Sequence, residues 1–449
     1  MSSFTDVSVV VVGAGVAGVA SAVALANVGA RVRVIADRVT DPDGRLAAAG
    51  IPVEPDTGKL PAGTELVATS PGLRPTHPLF AAADAAGIEV ISEVELAWRL
   101  RPAGAGAWLA LTGTNGKTTA VGMLESMLRA AGLRAVATGN VGFPIAAAVT
   151  AEPAYEALAV ELSSAQLHFT RSMRPAAAAI LNVAPDHLDW HGTMQAYAAD
   201  KARIFHPDAV NVINADDPCC RELAAGLPNV VGFTLGERAP GQLGVVDGWL
   251  VGADGARLAL VEEVRPAGRH NVANALAAAA LAGGYGISAE AIRAGLRAFV
   301  PAGHRNEFIA VVDDVSYVDD SKATNPHAAE ASLTAYDPVV WIAGGLLKGA
   351  DIDELVATVA PRLRAAVLLG TDRQQIAHAI TRHAPDLPVL QVANDDDEPM
   401  VHAVSEARRQ ARPGDTVLLA PAAASFDMFA NYNVRGDAFA AAVRALRPG

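Results

Sequence analysis

Short aliphatic runs alternate along the chain with longer alanine- and leucine-rich stretches, the rhythm of parallel strands each followed by a covering helix. The first run, residues 7–12, is mostly valine, and Gly13, Gly15 and Gly18 follow it at the head of an alanine-rich stretch. Residues 7–30 carry no charge and are long enough to span a bilayer. Three glycines directly after a β-branched run instead predict a strand, a tight turn and a helix. Strands are also expected at 65–68 and 89–91, at 108–111, 157–160 and 177–182, and at 339–343, 365–369 and 416–420. Helices are expected at 120–131, 272–281 and 289–299. Two stretches rich in Pro, Gly and Ala, 101–106 and 300–303, separate these groups and read as linkers. The pattern predicts three α/β domains, 1–101, 102–300 and 301–449, in agreement with a length prior of about three.

Composition narrows the partners. Lys+Arg 35 against Asp+Glu 48 leave a net charge of −13, which disfavours nucleic acid and anionic lipid. A phosphate-bearing ligand must then be held by a few placed cations and backbone N–H groups. Cys219 and Cys220 are adjacent, so they supply neither a disulfide framework nor metal-ligand spacing. With no basic residue ahead of the first apolar run, the expectation is a cytoplasmic protein without membrane insertion.

The strongest local signal is Gly113-Thr114-Asn115-Gly116-Lys117-Thr118-Thr119, placed after an expected strand and before an expected helix. Converging N–H groups and a helix dipole suit phosphate, Lys117 adds charge, and a threonine hydroxyl can reach Mg²⁺. Only two residues part Gly113 from Gly116, so this is a shortened variant of the usual phosphate loop. Gly13, Gly15 and Gly18, with Asp37 near the end of the next strand, form a second cradle of the dinucleotide type. Two phosphorylated ligands follow, one of them ATP. Glu161 and His187 come after expected strands of the central group, where ligand sites of open α/β sheets lie, and suit Mg²⁺. Taken alone, these residues also have plain structural readings. His187 is then a core or capping histidine, Lys201 a solvated helix lysine and Asn271 a helix N-cap. Lys348 is a solvated loop cation, and Ser425 caps a helix starting at Phe426.

In their order and separations, the segments 112–119, 161–164, 182–189, Arg269-His270-Asn271 with Asn274, His304-Arg305 and 320–325 resemble the Mur ligase family. These are ATP-dependent amino acid ligases of peptidoglycan precursor synthesis. The N-terminal glycines, Thr69-Ser70-Pro71-Gly72, the segments 344–349 and 424–429, Asn431-Tyr432 and Arg435-Gly436 are similar to the D-glutamate-adding member. The resemblance implies a Rossmann-like N-terminal domain for a UDP-sugar, a central P-loop-type ATPase domain with a mostly parallel sheet, and a Rossmann-like C-terminal domain for an amino acid. It further implies that ATP phosphorylates the carboxylate of UDP-N-acetylmuramoyl-L-alanine and that D-glutamate attacks the acyl phosphate, although the same residues would hold L-glutamate.

By the same resemblance ATP is bound by residues Gly113 to Thr119, Asn271, Asn274, Arg305, Asp320 and Lys322, with the third domain closing on the nucleotide. Thr118 and Glu161 are implied for one Mg²⁺ and His187 for a second, with Lys201 carbamylated as a further ligand. Lys117, His187 and Lys201 are the implied catalytic groups. Gly15, Val16, Ala17, Asp37, Arg38, Ser70, Asn140 and His187 are implied for the UDP-sugar, and Thr324, Lys348, Ser425, Phe426 and Tyr432 for the amino acid. Asp37 stands one position away from the acid of the family pattern. A monomer is expected. The competing readings are a sister ligase adding L-alanine, a diaminoacid or glutamate to folate, a nicotinamide-dependent oxidoreductase, and a non-catalytic ATP-binding module.

Overall fold

The computed structural model describes residues 4–301, 303–393 and 397–446, so Ala302 of the expected linker lies outside the described residues. The chain forms two compact units: the described residues up to 264 together with 273–299, and residues 265–272 with those from 300 on.

The first unit holds two parallel sheets. One contains β1 (Ser8–Ala14), β2 (Arg31–Val39), β3 (Val53–Glu54), β4 (Leu66–Thr69) and β5 (Glu89–Ser92), ordered β3-β2-β1-β4-β5. The strand order reverses between β1 and β4, the crevice where such sheets bind ligands. The uncharged stretch 7–30 is indeed strand, turn and helix: β1 runs into the helix Val16–Asn27 through Gly15. Among the described residues no helix is long and apolar enough to cross a membrane.

The second sheet contains β6 (Ala107–Thr112), β7 (Ala135–Gly139), β8 (Ala157–Glu161), β9 (Ala177–Ile180), β10 (Val210–Asn214) and β11 (Val230–Phe233), ordered β11-β10-β9-β6-β8-β7. All its pairings are parallel. Its middle strands β8, β6 and β9 are apolar up to the last residues of two of them, Thr112 of β6 and Glu161 of β8, because helices cover both faces. Since β6 lies between β8 and β9, the loops that leave these three strands emerge side by side. The expected strand 177–182 stops at Ile180, because Asn182 turns away to pair its amide with Asn115. A three-stranded antiparallel ribbon, β12 (Gly244–Val246), β13 (Trp249–Val251) and β14 (Arg257–Leu260), was not foreseen. Its strands are too short to show a period of two.

The sheet of the second unit contains β15 (Glu307–Val312), β16 (Val315–Asp319), β17 (Val339–Gly344), β18 (Leu363–Leu369), β19 (Val389–Gln391) and β20 (Thr416–Leu419), ordered β15-β16-β20-β17-β18-β19. Only the edge strand β15 is antiparallel. Trp341 on β17 is fully buried and its Nε1 donates to the Ala420 carbonyl at 2.7 Å, which anchors the loop after β20. Truncating a tryptophan so placed costs about 3–5 kcal/mol. That loop carries turns rather than the helix that the plain reading of Ser425 as a cap would start at Phe426; the next helix is Tyr432–Arg444, capped by Asn431. Ser425 is therefore no helix cap.

Candidate active site

The phosphate loop joins β6 to the helix Lys117–Ala130, three residues earlier than the sequence pattern suggests. Gly116 has φ +82°, and a Cβ there would run into the Asn274 side chain. Thr114 is anchored to the segment after β9: its N–H donates to Asn182 O at 3.0 Å and its hydroxyl to Ala184 O at 3.1 Å, while Tyr197 OH lies 3.0 Å away. The Asn115 N–H donates to Asn182 Oδ1 at 2.8 Å. These two N–H groups thus shape the loop, and the N–H groups of Gly116 through Thr119, which have no acceptor within the helix, stand at its N-terminus, where an anion is favoured. The Lys117 ammonium folds back onto the Gly113 and Thr114 carbonyls at 2.9 and 3.0 Å.

Beside this loop, Glu161 ends β8 in complete burial. One carboxylate oxygen accepts from Asn140 Nδ2 at 2.9 Å, whereas Oε2 is buried without a hydrogen-bond partner. Such an oxygen is costly unless a cation completes it, so the donor set fits a hard divalent ion. Asn140, expected on the UDP-sugar, here orients that carboxylate. The Lys201 side chain is only 1% exposed, which overturns its reading as a solvated lysine. Its Nζ donates to Gly113 O at 2.9 Å and sits 4.5 Å above the Tyr197 ring. Burial, then the nearby Lys117 charge, hold this amine well below the ordinary lysine range, opposed by Asp186, Cys220 and Glu161.

His187 takes a left-handed φ of +52° just before a one-turn helix, caps nothing with its side chain, and leaves that side chain 63% exposed at the mouth of the loop. Partial desolvation, with Lys117 and Lys201 nearby and Asp186 opposing, holds its imidazole below the usual value and so neutral. Tyr197 was missed in the sequence. Its four-residue spacing from Lys201, which puts both on one helix face, was the available signal. Another missed group is Asp200, whose carboxylate burial would raise; hydrogen bonds from His168 and His191 outweigh this and bring it down to about 2. No spacing rule links those three residues.

The cradle after β1 is built differently. Gly13 has φ +95°, and a Cβ on Gly18 would collide with the Gly13 carbonyl oxygen, so these two glycines serve helix–strand packing. Gly15 has open space around it. Val16 is exposed, and Ser70 Oγ lies 3.4 Å from Gly13 O. Asp37 is exposed on β2 and accepts from the Asp56 N–H at 3.0 Å; Arg38 beside it is exposed as well.

In the second unit the loops after β16, β20 and β17 are neighbours. Asp320 is buried against Ser332 Oγ at 2.7 Å, and burial raises its carboxyl to about 6. Lys322 lies 3.9 Å over the Tyr432 ring, and Lys348, exposed with φ +55°, lies 5.5 Å from the Phe426 ring. Ser425 is buried. A bridge between Leu346 and Ala424 ties the loops of Lys348 and Ser425 together. Arg435, which has no counterpart among the expected site residues, is buried beneath them and donates to Ser321 O at 2.8 Å, Ala423 O at 3.1 Å and Gly344 O at 3.3 Å. Arg305 is half-buried and its charge acts on Asp320. Thr324 follows in the same loop, its N–H on Lys322 O. On the helix Arg269–Gly284, Asn271 lies inside the first turn, so it is no N-cap; it bonds Ala267 O, while Asn274 faces Gly116.

Family models match along most of the chain: the Mur ligase MurD-like N-terminal domain at 7–92, the Mur ligase middle domain at 111–282 and the Mur ligase glutamate ligase domain at 304–423. A Streptomyces coelicolor protein named UDP-N-acetylmuramoylalanine--D-glutamate ligase is 54% identical, with 99% of each chain covered. A Mycolicibacterium smegmatis protein of the same name is 50% identical, over 97% of this chain and 96% of that one. Among solved structures, the fold is shared with a pseudomurein peptide ligase type C from Methanothermus fervidus (TM-score 0.63, 18% identity, 98% and 100% covered). It is shared likewise with a UDP-N-acetylmuramate-alanine ligase from Thermotoga maritima (TM-score 0.61, 18% identity, 98% and 99% covered). The phosphate loop, the buried carboxylate beside it and these full-length likenesses agree: the chain belongs to the Mur ligase family.

Proposed function

We propose that the protein joins D-glutamate to UDP-N-acetylmuramoyl-L-alanine at the expense of ATP, as a cytoplasmic monomer whose domains 1–101, 102–300 and 301–449 take the UDP-sugar, ATP and the amino acid. The observation that carries this reading is the 54% identity over 99% of the chain to a ligase named for that reaction. The central site supports the chemistry. N–H groups at the start of the helix Lys117–Ala130 and the Lys117 ammonium hold the phosphates of ATP in line with the lactyl-alanine carboxylate, whose oxygen attacks the γ-phosphorus; the bond to the β-phosphate breaks, ADP leaves, and the carboxylate becomes an acyl phosphate. The D-glutamate amine attacks that carbonyl carbon, phosphate departs, and an amide remains.

Family members use ATP and Mg²⁺. Thr118, the unpartnered Glu161 oxygen, neutral His187 and Lys201 fit the ion. Bound there, Mg²⁺ supplies neutralisation of phosphate charge. The buried Lys201 amine, held well below the ordinary lysine range, is suited to add CO₂ and become an anionic ligand. Gly15, Val16, Ala17, Asp37, Arg38, Ser70 and Asn140 are assigned to the UDP-sugar, and Asn271, Asn274, Arg305, Asp320 and Lys322 to the nucleotide. Thr324, Lys348, Ser425, Phe426 and Tyr432 are assigned to D-glutamate, for which a lysine and a hydroxyl suit two carboxylates.

The test offers the purified protein ATP, Mg²⁺ and UDP-N-acetylmuramoyl-L-alanine with D-glutamate, L-glutamate or diaminopimelate in turn, following phosphate and product mass. Phosphate release and adduct with D-glutamate alone are expected; no D-glutamate adduct overturns the reading.

A further inference from the structure

Glu161, His187 and Lys201 come from three separate segments: the end of β8, the loop after β9 and the helix Met194–Ala202. Something must fix these segments against one another to within a fraction of an ångström for all three to serve one ion. The side chains that do so form a chain of hydrogen bonds. The Asp200 carboxylate, next to Lys201, accepts through Oδ2 from His168 Nδ1 at 2.9 Å and from His191 Nδ1 at 3.0 Å, and its Oδ1 forms an ion pair with Arg203, 3.1 Å from Nε. With Nδ1 donating to the carboxylate, the other ring nitrogen of His191, Nε2, lies 2.9 Å from the Ser164 hydroxyl.

Ser164 is three residues beyond Glu161, His191 four beyond His187, and Asp200 one before Lys201. Each of these three expected metal-site residues is thus flanked by one member of the network. Trp190 packs between the two imidazoles, its ring 4.3 Å from His191 and 5.2 Å from His168, and its Nε1 donates to Leu73 O at 3.1 Å. The order hydroxyl, imidazole, carboxylate is that of a hydrolytic triad. Ser164 is 4% and the His191 side chain 1% exposed, however, so no substrate reaches the hydroxyl and the arrangement works through position.

We propose that Asp200 is a positioning residue whose single carboxylate, through His191 and Ser164, sets the mutual geometry of Glu161, His187 and Lys201. This rests on the reading of those three residues as the Mg²⁺ site. Asparagine in its place keeps the shape but cannot accept with equal strength from two imidazoles and loses the charge paired with Arg203. The test uses the full-length protein and its Asp200→Asn and Ser164→Ala variants. ADP binding is titrated by calorimetry across a range of Mg²⁺ concentrations, alongside phosphate release and thermal unfolding.

The expected result for Asp200→Asn is a Mg²⁺ requirement raised about 10- to 100-fold, as for other groups that orient metal ligands. Ser164→Ala shifts the Mg²⁺ requirement the same way by less. A parent-like Mg²⁺ requirement in both variants overturns the proposal, as does a loss of all binding in step with a lowered melting temperature. If Asp200→Asn does not fold, Ser164→Ala decides alone. A parent without D-glutamate-dependent phosphate release fails the proposed reaction, while the calorimetry still decides the role of Asp200.

Discussion

The two cradles of the first unit follow the same plan, a parallel strand, a glycine-bearing turn and a helix N-terminus, yet they are furnished in opposite ways. After β1 the turn carries no charge, Ser70 is the side chain packed against it, and two of its three glycines are occupied with packing. After β6 the turn carries Lys117 and faces a buried carboxylate with an unpartnered oxygen and a buried lysine. Backbone geometry alone is enough to hold a diphosphate; moving a phosphoryl group needs charges brought from other strands. The difference teaches where chemistry, as opposed to binding, is written in such a unit.

The largest effect should come from emptying the charged cradle. Lys117→Ala is expected to lower ATP turnover about 10³-fold, the scale for losing a preorganised charge contact in the transition state. Gly15→Ala in the uncharged cradle should raise half-saturation by the UDP-sugar and leave turnover near the parent value. Equal losses of turnover in the two variants, read by phosphate release, would erase the distinction. Next comes Lys201→Ala, with a loss of about 10²-fold or more for a missing metal ligand, partly restored by formate or acetate. Activity close to the parent's would remove the carbamate role.

How far each cradle could be read from sequence follows the same divide. Strands, turns and both glycine loops are local patterns, so β1, β6 and β17, and the helices after β1 and β6, were visible in residue order. Lys201 was not: its helix face looks solvated until β6 and the loop of Gly113 close over it, and only the family resemblance drew attention to it. The Asp200, His168 and His191 cluster and buried Arg435 depend on contacts between segments 9 to 114 residues apart, which no periodicity reports. The plain reading of Ser425 as a helix cap fails because its carbonyl accepts from the Met428 and Phe429 N–H groups in a turn, and the next helix starts at Tyr432.

A stability comparison sharpens the uncharged cradle. Gly18→Ala drives a methyl into the Gly13 carbonyl, which backbone atoms cannot easily evade, and should destabilise the fold by about 2–3 kcal/mol. Gly15→Ala, with open space at that position, should stay within about 0.5 kcal/mol of the parent. Denaturant midpoints at constant slope measure both. If the two variants were equally stable, Gly18 would not be a packing glycine, and the cradle's sequence fingerprint would have to be explained by ligand contact throughout.

The smallest effect lies at the seam that joins the two sheets. Glu93, on the helix Glu93–Leu100 after β5, is fully buried; it accepts from Gln166 Nε2 at 2.8 Å, and its Oε2 has no partner. Gln166 in turn accepts from the Ser163 N–H at 2.7 Å, two residues from Glu161, so the uncharged cradle's sheet reaches the charged site through this carboxyl. Burial raises the Glu93 carboxyl from 4.5 to about 7, moderated by the Gln166 hydrogen bond. Because the folded value lies above the unfolded one, the unfolded chain releases this proton first. The contribution is whole below about 4.5, is lost as pH rises, and is gone above about 7. Glu93→Gln, which cannot ionise, should therefore gain on the parent across that window, by on the order of 2 kcal/mol at pH 8. A stability difference between variant and parent that stays constant from pH 4.5 to 8 would mean that Glu93 is already ionised in the folded seam, and that the sheets are joined through a buried charge.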